Sequence, residues 1–276
     1  MTTLTPMAVP AAIPLPERSQ QARVLWTGAG LFVAVVIVLW LVLGTLGSVA
    51  YQTIPSTERV FAGTLTAVTV DVGTGSVTVE RNARPDTVVT TSGSRGLTWP
   101  TDEEHVSGSS LTIRSRCRQP FFGDHCNRNY VLHVEPTTSL TVTTGEGTID
   151  VDGIDGALAL NSGQGDVAIA GGSGAVRVFT GEGNVSGTAL RAQRVFAQSG
   201  QGDVDLGFAT PPARVTASSG EGNVTIGLPN GPTFYRVHVS SGEGITTNGV
   251  AESPSSPRVI DGSSGQGDVA VGYGTG

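Results

Sequence analysis

The chain contains no lysine; all 16 of its basic residues are arginine. Schiff-base chemistry, lysine nucleophiles and a P-loop lysine are thereby excluded. Charged residues make up only 14% of the sequence, against roughly 25% in an ordinary soluble domain. The net charge of −7 argues against a duplex nucleic-acid partner, whose counterions a strongly cationic protein displaces. Four histidines and two cysteines are too few and too scattered for most zinc constellations. No Ser/His/Asp arrangement surrounds His105, His125, His133 or His238. These absences predict a protein that is not an enzyme and carries no cofactor.

Long apolar runs are absent too, with one exception. From Val24 to Tyr51 there are 28 residues without a charge, centred on Leu31–Leu43. About 20 apolar residues cross a bilayer, so the segment 24–51 is expected to be a transmembrane helix, a signal anchor. The preceding residues 1–23 form a short proline-rich tail with Pro6, Pro10, Pro14 and Pro16. Arg18 and Arg23 precede the span, against Arg59 after it, which predicts a cytoplasmic N-terminus and an extracytoplasmic C-terminal domain in the cell membrane. Cleavage after Ala50, at the small-residue site Ser48-Val-Ala50, is an open alternative. Residues 52–59 read as a linker and 60–276 as the folded domain. The only cysteines, Cys117 and Cys126, lie nine positions apart, and a pair in an oxidising compartment predicts a disulfide.

What is abundant is glycine, at 39 residues, and it is periodic. Gly-Glu/Gln-Gly begins at Gly145, Gly163, Gly181, Gly200, Gly220, Gly242 and Gly265, in steps of 18 to 23 residues. A hydroxyl precedes each: Thr144, Ser162, Thr180, Ser199, Ser219, Ser241, Ser264. Apolar residues alternate with period two on both sides, as in Leu140/Val142 before and Ile149/Val151 after the first turn. Two short strands and two turns per repeat predict an all-β chain, a single-stranded β-solenoid of about seven regular 18–23-residue coils. Stacked hydroxyls are expected to bond along their column, and glycine to take the tight corner. The sixth repeat breaks the pattern, with Thr246 and Asn248 where inward residues belong, and 251–257 after it reads as a loop.

The corners carry an ordered set of acids. Their middle residues are Glu146, Gln164, Glu182, Gln201, Glu221, Glu243 and Gln266. Where the middle residue is Gln, Asp follows the second glycine (Asp166, Asp203, Asp268); where it is Glu, the follower is uncharged. One carboxylate per corner spreads like charges that would otherwise repel at strand spacing, so this column is expected to be structural. The alternative is a calcium-binding β-roll, but its G-G-x-G-x-D-x-U-x motif does not match these turns.

Upstream, Val68–Val79 repeats the strand–glycine–strand unit in degenerate form, and residues 93–130 read as a cysteine-bearing insertion. Its Arg114, Arg116, Arg118 and Arg128 with Phe121 and Phe122 form a basic, aromatic patch. Two readings stay open for it: a capping loop over the solenoid end, or a contact for anionic envelope polymers or lipid headgroups. In the regular coils the aromatics are Phe179, Phe196, Phe208, Phe234, Tyr235 and Tyr273, several expected at inward or turn positions.

Val70-Asp-Val-Gly-Thr-Gly-Ser-Val-Thr-Val79, Leu111-Thr-Ile-Arg114 and the Thr/Ser-Gly-Glu/Gln-Gly-Asp/Asn-Val coils together resemble the bacterial DUF4097 family of candidate adhesins, related to toastrack domains. The resemblance implies a membrane-anchored β-solenoid without established catalytic residues. The expected function is a non-enzymatic envelope scaffold, adhesin-like or stress-sensing, with anionic polymer or other envelope proteins as partners. The competing class is a carbohydrate-active β-helix enzyme, which would gather carboxylates on adjacent coils beside an aromatic groove.

Overall fold

A computed structural model describes residues 30–42, 52–96, 99–117 and 126–274. The chain divides into two units, residues 1–46 and 47–276. The tail 1–23 lies outside the described residues, as does most of the expected span. Within that span 30–42 form a helix, α1, with exposed side chains. Among the described residues no helix is long and apolar enough to cross a membrane.

The second unit is all β. Its strands are β1 (Gln52–Phe61), β2 (Ala67–Thr74), β3 (Val77–Arg81), β4 (Thr87–Arg95), β5 (Thr101–Ser107), β6 (Ser110–Arg116) and β7 (Asn127–Val134). Seven coils of two strands follow. They are β8 (Ser139–Glu146) with β9 (Ile149–Asp152), β10 (Leu158–Gln164) with β11 (Val167–Ala170), and β12 (Val176–Glu182) with β13 (Val185–Leu190). Next come β14 (Arg194–Gln201) with β15 (Val204–Phe208) and β16 (Arg214–Glu221) with β17 (Val224–Leu228). The last are β18 (Arg236–Glu243) with β19 (Thr246–Asn248), and β20 (Val259–Gln266) with β21 (Val269–Tyr273).

Each coil contributes its first strand to one sheet, B, and its second to another, A. Strands stack parallel and in register, so Leu160 lies between Val142 and Val178, and Val167 between Ile149 and Val185. These inward residues are fully or almost fully buried and form one continuous core between the sheets. Period-two alternation produces this because one face of every strand is turned to the opposite sheet.

The coils do not stack in chain order. Sheet A runs β1-β4-β7-β3-β9-β11-β13-β15-β17-β21-β19, and sheet B runs β18-β20-β16-β14-β12-β10-β8-β2-β6-β5. The seventh coil, β20–β21, is therefore inserted between the fifth and the sixth. The sixth, β18–β19, becomes the end of the stack. That is why Thr246 and Asn248 are tolerated there: β19 is exposed along its length. The continuation after it, expected to be a loop, carries the chain back, with Tyr235 bridged to Glu252 on the way.

The opposite end repeats the manoeuvre. From β2–β3 the chain goes out to β4 in sheet A and β5 in sheet B, which pair antiparallel with β7 and β6 respectively. It then returns as β6–β7 between them and β2–β3. Two expectations are corrected here. The region 93–130 is not a single insertion, because β6 and the start of β7 within it belong to a parallel coil of the stack. Residues 52–59 are not a linker but most of β1, paired antiparallel with β4. A strand reads as a linker when, like β1, it is exposed and so lacks a buried alternation.

Candidate binding surfaces

The regular corners form a straight edge. The second glycine of each takes positive φ, for example +135° at Gly165 and +143° at Gly183. A Cβ at Gly165 would land on the carbonyl of Gly147 in the neighbouring coil, so backbone approach also demands glycine. The preceding hydroxyl donates to such a carbonyl of an adjacent coil: Ser162 Oγ to Gly147 O at 3.2 Å, Ser199 to Gly183 at 2.8 Å, Ser264 to Gly222 at 2.7 Å. Hydroxyl-to-hydroxyl bonding, expected along the whole column, occurs between Thr144 and Ser162 at 3.2 Å. The carbonyl wins elsewhere because the close corner backbone presents it directly.

The residue after the second glycine forms a ladder. Its side-chain oxygen accepts the backbone N–H of the equivalent residue one coil on: Asp166 from Asn184 at 2.7 Å, Asn184 from Asp203 at 2.9 Å, Asp203 from Asn223 at 2.7 Å. It continues from Asn223 to Asp268 at 2.9 Å and from Asp268 to Ile245 at 2.8 Å, following the spatial order of the coils. Carboxylate and amide oxygens serve equally as acceptors here.

The middle residues share one row, with Glu146 beside Gln164, Gln164 beside Glu182, Glu182 beside Gln201 and Gln201 beside Glu221. Glu221 and Glu243 are consecutive acids in the chain, yet Gln266 stands between them in space. In spatial order the column thus reads Glu, Gln, Glu, Gln, Glu, Gln, Glu. The Asp/Asn column alternates in the opposite phase, and no carboxylate in either column has another directly above or below it. Gln164 Nε2 donates to Glu182 Oε2 at 3.2 Å. The column lines an open groove of about 800 Å³. Among the described residues no three of His, Cys, Asp and Glu are grouped to hold a metal ion.

The two cysteines flank a corner. Val72 pairs with Ser115 and Val77 with Tyr130, so Cys117 and Cys126 follow and precede strands that stack on the two sides of the β2–β3 glycine turn. Cys117 and Cys126 are joined in a disulfide with Cα atoms 5.6 Å apart, closing the ends of β6 and β7. Beside it Asp102 accepts hydrogen bonds from Ser115 Oγ at 2.7 Å, Tyr130 OH at 3.2 Å and Arg128 Nε at 2.7 Å. Burial pushes the Asp102 carboxyl up, but these bonds and the Arg128 charge outweigh it and hold the group below its ordinary value. Burial, helped by the Asp102 charge, pushes the Tyr130 hydroxyl up to about 12.

The patch residues are therefore distributed. Arg128 is folded against Asp102, with Nη1 buried and unbonded. Arg116 is exposed, 3.6 Å from Asp71. Arg114 is exposed and, with Thr101, Glu103, Arg116 and Cys117, lines a cleft of about 480 Å³. Arg118, Phe121 and Phe122 lie outside the described residues, as does His125.

A second basic, aromatic surface lies on the regular coils. Phe179 and Phe196 point outward from sheet B, half-buried, not inward. Their ring centres are 5.2 Å apart, and the Arg177 guanidinium lies 4.8 Å and 4.9 Å from them. Alternation alone could have located them: each falls one position from a buried apolar residue, Val178 and Val195 respectively.

Residues 53–271 match the model of the family described as Toastrack DUF4097. The chain belongs to that family. Its solved structural neighbours include a candidate adhesin from Bacteroides fragilis, 16% identical, with 79% of this chain and 97% of that one covered at a TM-score of 0.48. A candidate cell adhesion protein from Clostridium sporogenes is 12% identical, covering 80% and 100% at 0.34. A candidate lipid binding protein from Parabacteroides distasonis is 13% identical, covering 78% and 96% at 0.36. No curated protein matches the chain.

Proposed function

We propose that this Toastrack chain is a non-enzymatic binding scaffold of the cell envelope. Residues 24–51 anchor it in the membrane and the solenoid is displayed outside, in an adhesin-like or stress-sensing role. The observation that carries the reading is the in-register stack itself. It repeats the same hydroxyl–glycine–Glu/Gln–glycine corner at each coil, about 4.8 Å apart, on a two-sheet body. A repeating surface of this kind suits a repeating partner, and anionic envelope polymers or other envelope proteins are such partners. The disulfide supports an oxidising, extracytoplasmic compartment. The uncharged stretch from Val24 to Tyr51 supports the anchor.

Protease added to intact cells or spheroplasts tests the topology. Removal of residues 52–276 with retention of the N-terminal segment in the membrane is the expected result. Complete protection of the domain contradicts the proposal.

A further inference from the structure

The arginines of the regular coils are segregated. In sheet B, Arg194 pairs with Arg214, and Arg214 and Arg236 both pair with Val259, so three arginines share one outward row. The next row holds Arg177 beside Phe196, on which Phe179 also leans. From β8 to β18, ahead of the corner column, Asp261 is the sole carboxylate on this face. It stands 3.7 Å from Arg214, whose side chain stays 57% exposed. The outer face of sheet A over the same coils is the reverse: it has Asp150, Asp152 and Asp205 among small residues and no arginine. Core packing requires neither the segregation nor two phenylalanines on a solvent face, where half-exposed rings sacrifice burial.

We propose that the outer face of sheet B binds an acidic polysaccharide laid along the solenoid axis. It takes pyranose rings on Phe179 and Phe196 and carboxylates on Arg194, Arg214 and Arg236. Guanidinium groups recognise carboxylates by paired, charge-assisted hydrogen bonds, and aromatic faces suit the apolar side of a sugar ring. The five coils from β12 to β18 span about 19 Å at strand spacing, so an extended polymer meets successive arginines without bending. A lipid surface fits less well, since the arginines are strung in one row along the axis. The inference rests on the reading of the domain as a binding scaffold and names the face and ligand class.

The test uses the full chain in detergent-free phosphatidylcholine nanodiscs, with polygalacturonate as probe, dextran as the neutral control and phosphatidylglycerol vesicles as the lipid arm. Binding to polygalacturonate but not to dextran is expected. Arg194→Glu/Arg214→Glu and, separately, Phe179→Ala/Phe196→Ala should each weaken it about tenfold or more. Melting curves like that of the unaltered protein show that these exposed substitutions leave the fold intact. Arg114→Glu/Arg116→Glu, on the other basic surface, should bind as the unaltered protein does. No binding to polygalacturonate, binding unaffected by both sheet B pairs, loss only with the Arg114/Arg116 pair, or preference for the vesicles overturns the site. Such a failure with the domain still protease-accessible on cells removes this face and leaves the proposed function; an inaccessible domain removes the proposed function instead.

Discussion

At a corner, five neighbouring residues meet four separate demands. The hydroxyl satisfies a carbonyl across the coil, the glycines allow the approach, and the Asx oxygen satisfies an N–H. The Glu/Gln position is then free to set charge. Acceptor and charge roles can be separated at Asn184. Asn184→Ala removes the acceptor for the Asp203 N–H and should cost about 1 kcal/mol, independent of salt. Asn184→Asp keeps the acceptor but places carboxylates in three successive coils, so its loss of melting temperature should shrink at high salt. Replacing Gln164, Gln201 and Gln266 together by Glu should likewise lower the melting temperature, with recovery in salt.

The Asp102 group gives a pH signature at the same scale. Its carboxyl is held below the ordinary value, so the ionised form stabilises the fold above about pH 4, and that contribution is lost as pH falls through the lowered folded value. Tyr130 is opposite: stabilisation by its neutral form is complete below about pH 10 and is lost as pH rises towards 12. Denaturant melts across pH should show Asp102→Asn flattening the acid limb and Tyr130→Phe the alkaline one.

The element is where reading from sequence succeeded and where it stopped. Strands, corners and the degenerate unit at Val68–Val79 were legible because period two and glycine turns are local signals. The order of coils was not, since pairing between β16 and β20 spans a chain detour that no local pattern reports. A trace was nevertheless present: Glu221 followed by Glu243 breaks the Glu/Gln alternation, and only an intervening Gln266 restores it. The candidate binding surfaces were half-legible. The arginines near the cysteines stood out as a run, whereas Arg177, Arg194, Arg214 and Arg236 are dispersed in the chain and meet only through register.

Insertion of the last coil has a consequence for stability. In a sequentially stacked solenoid a terminal coil can be removed with modest loss. Deleting residues 259–276 here takes out β20–β21, which has neighbours on both sides. The expected outcome is collapse of the C-terminal end, seen as dye binding to exposed apolar surface and a broad, early melt. At the corners, Gly165→Ala should cost about 1–3 kcal/mol through its positive φ, before any displacement of the Gly147 carbonyl is counted.

For the whole molecule, the two ends pose the same problem. A stack of parallel strands exposes unpaired edges that invite unwanted pairing. At one end the rim is the antiparallel set β4, β5 and β1, where a register shift between Ile54 and Thr57 surrounds Pro55. At the other it is β18 with the polar, exposed β19. In both cases the chain lays down the rim first and then places a coil inside it, so neither end of the solenoid is finished by its last-made neighbour. The faces between the rims differ in charge, which gives the body one basic side, one acidic side and one acidic edge.

The last coil lies inside the stack, and paired cysteines read its position directly. Residues 221 and 266 are register partners, as are 243 and 266, whereas 221 and 243 are two coils apart. Cα atoms beyond about 7 Å are not bridged without backbone movement. Glu221→Cys/Gln266→Cys should therefore cross-link on mild oxidation of the folded protein, and Glu221→Cys/Glu243→Cys should not, as read by mass spectrometry of the non-reduced digest. Ready cross-linking of 221 to 243 with none between 221 and 266 would mean that the coils stack in chain order and that the last coil is not inserted.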